Sequence, residues 1–274
     1  MKMKKLVVCF FAVVLSMTVT SELAFAITRT SMKDQLLEQN TMSVLWFQKS
    51  GEAKALYYQG YNMGKLRLDE ILKKNQKRKG KNHAIVLDID ETVLDNSPYH
   101  AWMVQTGKGN LLDWSEWFNR AEAKPLPGAL DFLKYADSKG VAIFYISNRK
   151  EAHKEATIKN LQQVGAPQAD AEHVLLQQDG ELGKESRRQH VAKTHEIVLL
   201  FGDNLNDFKE FDQLSASKRI NRVEQDRNDY GNKLIVFPNP MYGDWEAAIY
   251  QYDFSKSPQE ISKVRKASLE GLEP

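Results

Sequence analysis

Two aspartates, two residues apart, come directly after an apolar run that is typical of a buried strand. Asp88 and Asp90 follow residues 84–87, which read Ala-Ile-Val-Leu. Alternate residues of a strand point to the same side, so both carboxylates can address one ligand. Burying a carboxylate there costs free energy unless a cation or hydrogen-bond donors compensate its charge. The pair therefore indicates a site with a chemical task.

Further polar residues follow the later predicted strands. Ser147 ends the second strand, Lys184 opens the helix after the third, and Asp203 ends the fourth. Ligands of open parallel sheets bind at the carboxyl ends of the strands. Carboxylates that converge on this edge repel one another, and a hard dication with oxygen ligands relieves that repulsion. Asp88, Asp90 and Asp203 therefore predict a magnesium site.

A calcium-binding EF-hand loop is the alternative for these aspartates. Read from Asp88, the loop would require glycine in place of Val93 and glutamate in place of Tyr99. Read from Asp203, it would require an acidic or amide residue in place of Leu205. The sequence meets neither requirement.

The elements that must position these residues alternate between short apolar runs and helical segments. The predicted strands span 84–88, 141–147, 173–176, 197–202 and 234–237, and the predicted helices span 128–138, 150–164, 184–193 and 207–214. Continuous apolar strands joined by helical crossovers indicate the α/β class with a doubly wound parallel sheet. Residues 95–125, which contain three tryptophans, interrupt the alternation. They are predicted to form a small insertion, or cap, over the end of the first strand.

Helical periodicity also precedes the sheet. Two helices are predicted over 31–77, with a break near Ser50 and Gly51, and the basic run 73–81 is typical of a solvated linker. The expected organisation is a signal peptide at 1–26, an N-terminal helical segment at 27–82 and an α/β domain at 83–274. The cap insertion occupies about 95–125 of that domain.

The first 26 residues have the composition of a secretory signal peptide. Basic residues 1–5 precede an apolar run at 6–20, and small residues at Ala24 and Ala26 mark a cleavage point. The run is shorter than the roughly 20 residues of a transmembrane helix, so no transmembrane span is expected. Cys9 lies too early in the run to be a lipid-modified cysteine. We expect a mature chain that starts at Ile27 and is secreted or located at the cell surface.

The charge balance of the mature chain argues against a nucleic-acid polymer as partner. Removing residues 1–26 takes away three lysines and Glu22, so Lys+Arg falls from 38 to 35 and Asp+Glu from 36 to 35. The net charge of +2 therefore becomes zero and gives no basic footprint. The loss of Cys9 also leaves the mature chain without a disulfide.

The motifs resemble those of the haloacid dehalogenase superfamily and, within it, the class C acid phosphatases. The shared pattern is Asp-x-Asp-x-Thr, a serine or threonine after the second strand, a lysine, and Gly-Asp-x-x-x-Asp. In this chain it is carried by residues 87–99, 148–150, 202–208 and 238–246. The resemblance covers nearly the whole mature chain. It implies a haloacid dehalogenase-like Rossmannoid core and a magnesium-dependent acid phosphatase that forms an aspartyl-phosphate intermediate.

The resemblance also implies roles for the aspartates. Asp88 would be the nucleophile, and Asp90 would protonate the leaving oxygen and then deprotonate water. Mg²⁺ would bind the carboxylates of Asp88 and Asp203 and the backbone carbonyl of Asp90. Asp207 would orient these ligands from outside the coordination sphere.

Other residues would bind the substrate. Ser147 and Lys184 would hold the phosphoryl oxygens, with Arg187, Arg188 and Lys193 as alternatives to the lysine. Thr92 would contact the phosphate or, as its position after the strand favours, fix the turn.

Two aromatic residues, Trp114 and Tyr242, resemble family positions at which rings stack against a substrate's base or ring. Both lack helical or strand periodicity, and packing in the core is the alternative for each.

Three functions remain open from the sequence. The first is an acid phosphatase acting on small phosphomonoesters such as nucleoside monophosphates and aryl phosphates. The second keeps the fold but transfers the phosphoryl group to an alcohol, as a phosphotransferase or mutase does. The third is a non-catalytic surface protein that binds nucleotides. A small phosphomonoester and a second copy of the chain, in a homodimer, are the expected partners.

Overall fold

The computed structural model describes residues 35–75, 82–108, 114–209 and 211–272. Within these ranges a five-stranded sheet has the order β5-β4-β1-β6-β7, and every neighbouring pair is parallel. Its strands are β1 (Asn82–Leu87), β4 (Ala142–Lys150), β5 (Val174–Gln177), β6 (His195–Gly202) and β7 (Leu234–Val236). The chain runs outward from β1 through β4 and β5, then continues on the other side through β6 and β7. The strand order therefore reverses between β1 and β6, where ligands of such sheets bind.

Both faces of the sheet are covered, which confirms the predicted doubly wound α/β fold. Ile85 and Leu87 of the central strand are fully buried in one apolar cluster, whereas Ala84 and Val86 belong to a second cluster. Because successive strand residues face opposite sides, these two clusters are the cores above and below the sheet. Among the helices that cover them are α5 (Ala129–Ser138), α6 (Lys154–Gln163), α7 (Glu185–Ala192) and α8 (Ala216–Gln225).

Among the described residues, a short helical stretch at 35–38 comes first, and two longer helices with the predicted break between them then precede the sheet. They are α1 (Thr41–Lys49) and α2 (Gly51–Asn75), and Ser50 is extended with ψ of 141°. Close approach of α2 to the sheet requires glycine at position 64, because a Cβ atom there would lie 2.6 Å from the Phe201 ring. The predictions for residues 1–34 and 76–81 lie outside the described residues.

The described part of the segment predicted as an insertion, without residues 109–113, contains two helices and is bounded by a short antiparallel pair of strands. The pair is β2 (Leu94–Asp95) with β3 (Lys124–Pro125), and the helices are α3 (Ser97–Thr106) and α4 (Ser115–Arg120). Two further helices near the C-terminus, α9 (Asp244–Ile249) and α10 (Pro258–Ala267), were not predicted. In the described residues, no helix is long and apolar enough to cross a membrane.

The helix predicted over 207–214 is wrong. Residues Leu205–Asp207 form a single 3₁₀ turn, and the described residues that follow are irregular up to Ser215. Gln213 has a φ of 55°, a left-handed conformation that a right-handed helix cannot contain. The Ser215 hydroxyl then accepts a hydrogen bond from the Lys218 backbone N–H, which starts α8.

Candidate active site

Asp88 and Asp203 lie at the ends of β1 and β6, where the strand order reverses. The Asp88 backbone N–H donates to the Phe201 carbonyl at 2.9 Å, which continues the pairing of β1 with β6 beyond Leu87. Asp88 is 7% exposed. Asp203 follows Gly202 at the end of β6, so the two aspartates extend from neighbouring strands at the same edge, as predicted.

Tyrosines of α2 hold the turn after Asp90. The Tyr57 hydroxyl donates to the Glu91 carbonyl, and the Tyr61 hydroxyl donates to the Thr92 carbonyl at 2.7 Å. Glu91 has a φ of 51°, a backbone conformation that costs a non-glycine residue about 1–2 kcal/mol. These hydrogen bonds offset that cost and fix the turn that carries the two aspartates.

Lys184 lies among the carboxylates. It precedes the first residue of α7, and its Nζ atom donates to Asp207 Oδ1 at 2.6 Å and to Asp88 Oδ1. Burial opposes the charged ammonium, but Asp207 and Asp88 outweigh it and raise the pKa of Lys184. Burial raises the pKa of Asp88 to about 7, with Lys184 acting in the opposite direction.

The alternatives to Lys184 have other partners. Arg187 donates to the Ser147 carbonyl at 2.6 Å, and Arg188 donates to the Asp207 carbonyl at 2.8 Å. Lys193 is exposed. Of the four basic residues considered in this segment, Lys184 is the one whose side chain bonds to the Asp88 carboxylate.

Within the part of the chain that the structure describes, Asp203 has polar neighbours but no cationic side chain in contact. Asn239 Nδ2 donates to its Oδ2 at 2.8 Å, and the Thr92 hydroxyl donates to its Oδ1 at 3.3 Å. Burial, and then repulsion from Asp207 and Asp88, raises the pKa of Asp203 well above its usual value. The Thr92 hydroxyl thus links the turn after Asp90 to the Asp203 carboxylate.

Asp90 has a different environment. Arg149 donates to its carboxylate through Nε and Nη2 at 3.0 and 2.7 Å, Ser147 donates at 2.9 Å and Asn96 at 2.8 Å. Burial favours the neutral acid, but the Arg149 guanidinium and these hydrogen bonds outweigh it and lower the pKa of Asp90. Asp90 is therefore held as a carboxylate, directed by the residues that end β4.

The carboxylates fit a divalent cation. One oxygen atom from each of Asp88, Asp203 and Asp207 lies within 4.8 Å of the others. Together with Asp90 they form a group of four carboxyl groups, and among the described residues the cations that contact this group are Lys184 and Arg149. With all four ionised, two negative charges would be uncompensated in a buried region, and a dication with oxygen ligands would neutralise them.

Asp207 comes this close because Gly202 has no side chain. A Cβ atom on Gly202 would collide with the Asp207 carboxylate. Asp207 Oδ2 accepts the Asn204 backbone N–H at 2.9 Å and closes the 3₁₀ turn. The Gly-Asp-x-x-x-Asp spacing thus folds the second aspartate back towards the first.

The two predicted substrate-binding rings, Trp114 and Tyr242, touch each other. Their centroids are 4.9 Å apart at 70°, an edge-to-face contact, and Trp114 is 9% exposed. The Tyr242 hydroxyl donates to Glu91 Oε2, next to Asp90 in the chain. The structure therefore brings both rings together beside the carboxylate site, packed against one another.

Several residues of the site had no role assigned from the sequence, among them Asn96, which donates to Asp90. Arg149 and Asn239 lie in the quoted motifs, and their contacts with Asp90 and Asp203 depend on strand ends that only the fold brings together. Glu91 is fully buried and accepts from the Asn96 backbone N–H at 2.7 Å. The position of Glu91 between Asp90 and Thr92 could have indicated a role, because a charged residue buried in this turn requires hydrogen-bonding partners.

The fold and the carboxylate–lysine cluster define an α/β protein of the haloacid dehalogenase type, and the comparisons with known proteins agree. The chain belongs to the HAD superfamily, subfamily IIIB (Acid phosphatase), whose profile matches residues 10–245. It is 56% identical to the class C acid phosphatase from Bacillus anthracis, over 87% of this chain and 99% of that one, with a TM-score of 0.84. The tungstate-bound structure of that protein gives the same identity and TM-score over 86% of this chain. The predicted resemblance is confirmed.

Two plant proteins are more distant relatives. Acid phosphatase 1 of Solanum lycopersicum is 26% identical over 167 residues, and vegetative storage protein 1 of Arabidopsis thaliana is 26% identical over 168 residues. Each match covers 57% of this chain and, respectively, 57% and 54% of the relative. The chain thus spans little more than half the length of these curated relatives.

Proposed function

We propose that this protein is an exported, magnesium-dependent acid phosphatase that hydrolyses small phosphomonoesters through an aspartyl phosphate on Asp88. The observation that carries the proposal is the contact of Asp88 with Lys184 at the edge of the sheet, beside Asp203 and Asp207. A carboxylate beside a fixed ammonium can attack phosphorus while the cation balances the charge of the phosphoryl oxygens. Tungstate, bound by the Bacillus anthracis protein, is a tetrahedral oxyanion like phosphate.

In the first step the Asp88 carboxylate attacks phosphorus, and the bond from phosphorus to the leaving oxygen breaks as Asp90 supplies a proton to that oxygen. In the second step Asp90 takes a proton from water, which attacks the phosphoaspartate and releases phosphate. Lys184 and Ser147 hold phosphoryl oxygens throughout. Mg²⁺ held by Asp88, the Asp90 carbonyl and Asp203 would neutralise charge on the phosphoryl group. Asp207 holds Lys184 in place.

The proton that Asp90 supplies in the first step accounts for a preference for acid. Arg149 lowers the pKa of Asp90 and so favours the carboxylate, and an acidic medium is therefore needed to populate the protonated form. The same ion pair directs the carboxylate towards Ser147, which places the proton donor beside the phosphate-binding hydroxyl.

Substrate choice is assigned to the two aromatic rings, Trp114 and Tyr242. Stacking against a planar group contributes about 1–3 kcal/mol per base in proteins that bind single-stranded nucleic acids, and a small polyol cannot use it. Nucleoside monophosphates and aryl phosphates are therefore the proposed substrate class, preferred over glycerol phosphate.

Two other functions are distinguished by experiment. A phosphotransferase or mutase would pass the phosphoryl group to an alcohol. A non-catalytic nucleotide-binding protein would bind without turnover, and one relative is named a storage protein. The buried Asp88–Lys184 pair favours an enzyme, because a binding protein gains nothing from a carboxylate next to a phosphate.

The test is turnover of a panel of nucleoside monophosphates, aryl phosphates and glycerol phosphate, with free phosphate and phosphorylated alcohol both measured. We expect free phosphate as the main product even with glycerol present, no turnover in EDTA, and recovery with Mg²⁺. Phosphoglycerol as the main product would establish the transferase instead. Unchanged turnover in EDTA would show that the metal assignment is wrong.

A further inference from the structure

A third ring, His100 of α3, lies against both proposed substrate-binding residues. Its centroid is 4.8 Å from that of Tyr242 with 15° between the planes, which is a stacked contact, and 4.9 Å from that of Trp114 at 80°, which is edge-to-face. With the Trp114–Tyr242 contact of 4.9 Å, the three rings form a closed triangle.

His100 is an unusual histidine because it is buried without a polar partner. It is 0% exposed, and neither ring nitrogen makes a hydrogen bond to another described residue. Buried polar groups are almost always paired. The ring borders a small cavity of about 20 Å³, room for about one water molecule. Burying these unpaired nitrogen atoms costs free energy that an apolar side chain would not cost. A contribution that depends on the shape of the ring would offset that cost.

The contacts of the His100 ring hold Tyr242 in one orientation. Tyr242 is fixed at its hydroxyl by Glu91 and at its face by His100, so its ring plane is determined from two directions. The Tyr242 backbone lies in an irregular segment between β7 and α9, where no regular hydrogen-bond ladder fixes the side chain. A flat neighbour that stacks on the ring selects one orientation, which a branched aliphatic side chain does not.

We propose that His100 is a positioning residue for substrate selection, whose flat ring orients Tyr242 and Trp114 for contact with a planar leaving group. This inference rests on the proposed function, in which those two rings bind the aromatic part of the substrate. It adds a residue that touches neither phosphate nor metal ligands. Burial also lowers the pKa of His100 to about 3, so the ring stays neutral at the mildly acidic pH proposed for the enzyme.

The test compares His100→Phe, which keeps a flat ring, with His100→Leu, which keeps an apolar residue of similar volume without one. For p-nitrophenyl phosphate, His100→Leu should raise KM about 2- to 10-fold, the range expected for loss of one aromatic pair, while His100→Phe stays close to wild type. Neither variant should change kcat/KM for glycerol phosphate. Equal effects of the two substitutions, or equal losses with both substrates, would overturn the proposal.

A double-mutant cycle tests the route through Tyr242. In a Tyr242→Ala background, His100→Leu should raise the KM for p-nitrophenyl phosphate by a smaller factor than in the wild-type background, because the ring on which His100 stacks is gone and only its contact with Trp114 remains. An undiminished effect in that background, or a Tyr242→Ala variant with unchanged KM, would contradict the proposal.

A binding measurement separates this inference from the proposed function. Calorimetry of adenosine monophosphate with Asp88→Asn protein, carrying either His100→Leu or His100→Phe, needs no turnover. Weaker binding with Leu than with Phe supports the positioning role even if the wild type hydrolyses none of the panel, in which case only the proposed phosphatase activity fails. Equal affinities would overturn the positioning role even in an active enzyme.

Discussion

At the scale of single residues, burial and neighbouring charges shift the pKa values of the two aspartates. Asp88 and Asp90 are separated by one residue, yet burial raises the pKa of Asp88, whereas Arg149 and hydrogen bonds lower that of Asp90. The two carboxyl groups therefore lie in different electrostatic environments although they are close in the chain, and perturbed pKa values of this kind cluster at functional sites. The sequence predicted both aspartates from their spacing. It could not predict their difference, because Arg149 reaches Asp90 from β4 and Lys184 reaches Asp88 from the start of α7.

The buried His100 predicts a pH dependence of stability. Its pKa is lowered from 6.5 to about 3, so below pH 6.5 the unfolded chain takes up a proton that the folded protein does not. Stability is therefore lost as the pH falls from 6.5 towards 3, by about 2 kcal/mol at pH 5 at roughly 1.36 kcal/mol per pH unit. Glu246 and Arg265 border the same cavity and pair with each other.

Urea unfolding of wild type and His100→Phe at pH 7 and pH 5 measures this contribution. The wild type should lose about 2 kcal/mol more than the variant on acidification. If both proteins lose the same free energy of unfolding, His100 does not titrate with a lowered pKa.

At the scale of elements, helix α2 packs on the sheet and also forms hydrogen bonds to the turn that follows Asp90. Tyr57 and Tyr61 bond to that turn, and Gly64 on the following helical turn faces Phe201. In an exposed helix, Gly→Ala is worth up to about 1 kcal/mol of added stability. At Gly64 we expect the opposite sign, with a loss of about 1–3 kcal/mol from overpacking against the ring.

Gly51→Ala is the matched control for Gly64→Ala. It lies at the start of the same helix, and a Cβ atom there would meet nothing within 4 Å. Thermal or urea unfolding should show the control unchanged or slightly stabilised. A stabilised Gly64→Ala protein would mean that α2 does not pack this closely on the sheet.

The elements were predictable where local pattern and packing agree. Apolar runs bounded by turn residues identified the five strands of the sheet, because strands buried on both faces are apolar throughout. The segment after Asp207 shows the limit. Phe208 and Phe211 have apolar spacing compatible with a helix, but both are buried in the second core while Gln213 turns the chain. Packing against the sheet overrides local preference there.

For the whole molecule, we propose export with cleavage of the leader. Family membership does not establish export, so the proposal rests on the pattern of basic, apolar and small residues in residues 1–26. Intact-mass analysis of protein recovered outside the cytoplasm should give a chain beginning at Ile27 with no lipid. A mass that includes a diacylated cysteine would contradict it. Light scattering on the same sample tests the homodimer expected from the sequence, and a monomer mass would contradict it.

The central claim is that Asp88 carries the phosphoryl group during turnover. Acid quenching during steady-state hydrolysis of p-nitrophenyl phosphate, followed by peptide mass spectrometry, should detect one phosphoryl group on the peptide that contains Asp88. Asp88→Asn should show no phosphopeptide and no turnover while remaining folded, since the amide is nearly isosteric with the carboxylate but a poor nucleophile. Near wild-type turnover in Asp88→Asn, or a phosphoryl group on a different residue, would contradict the account.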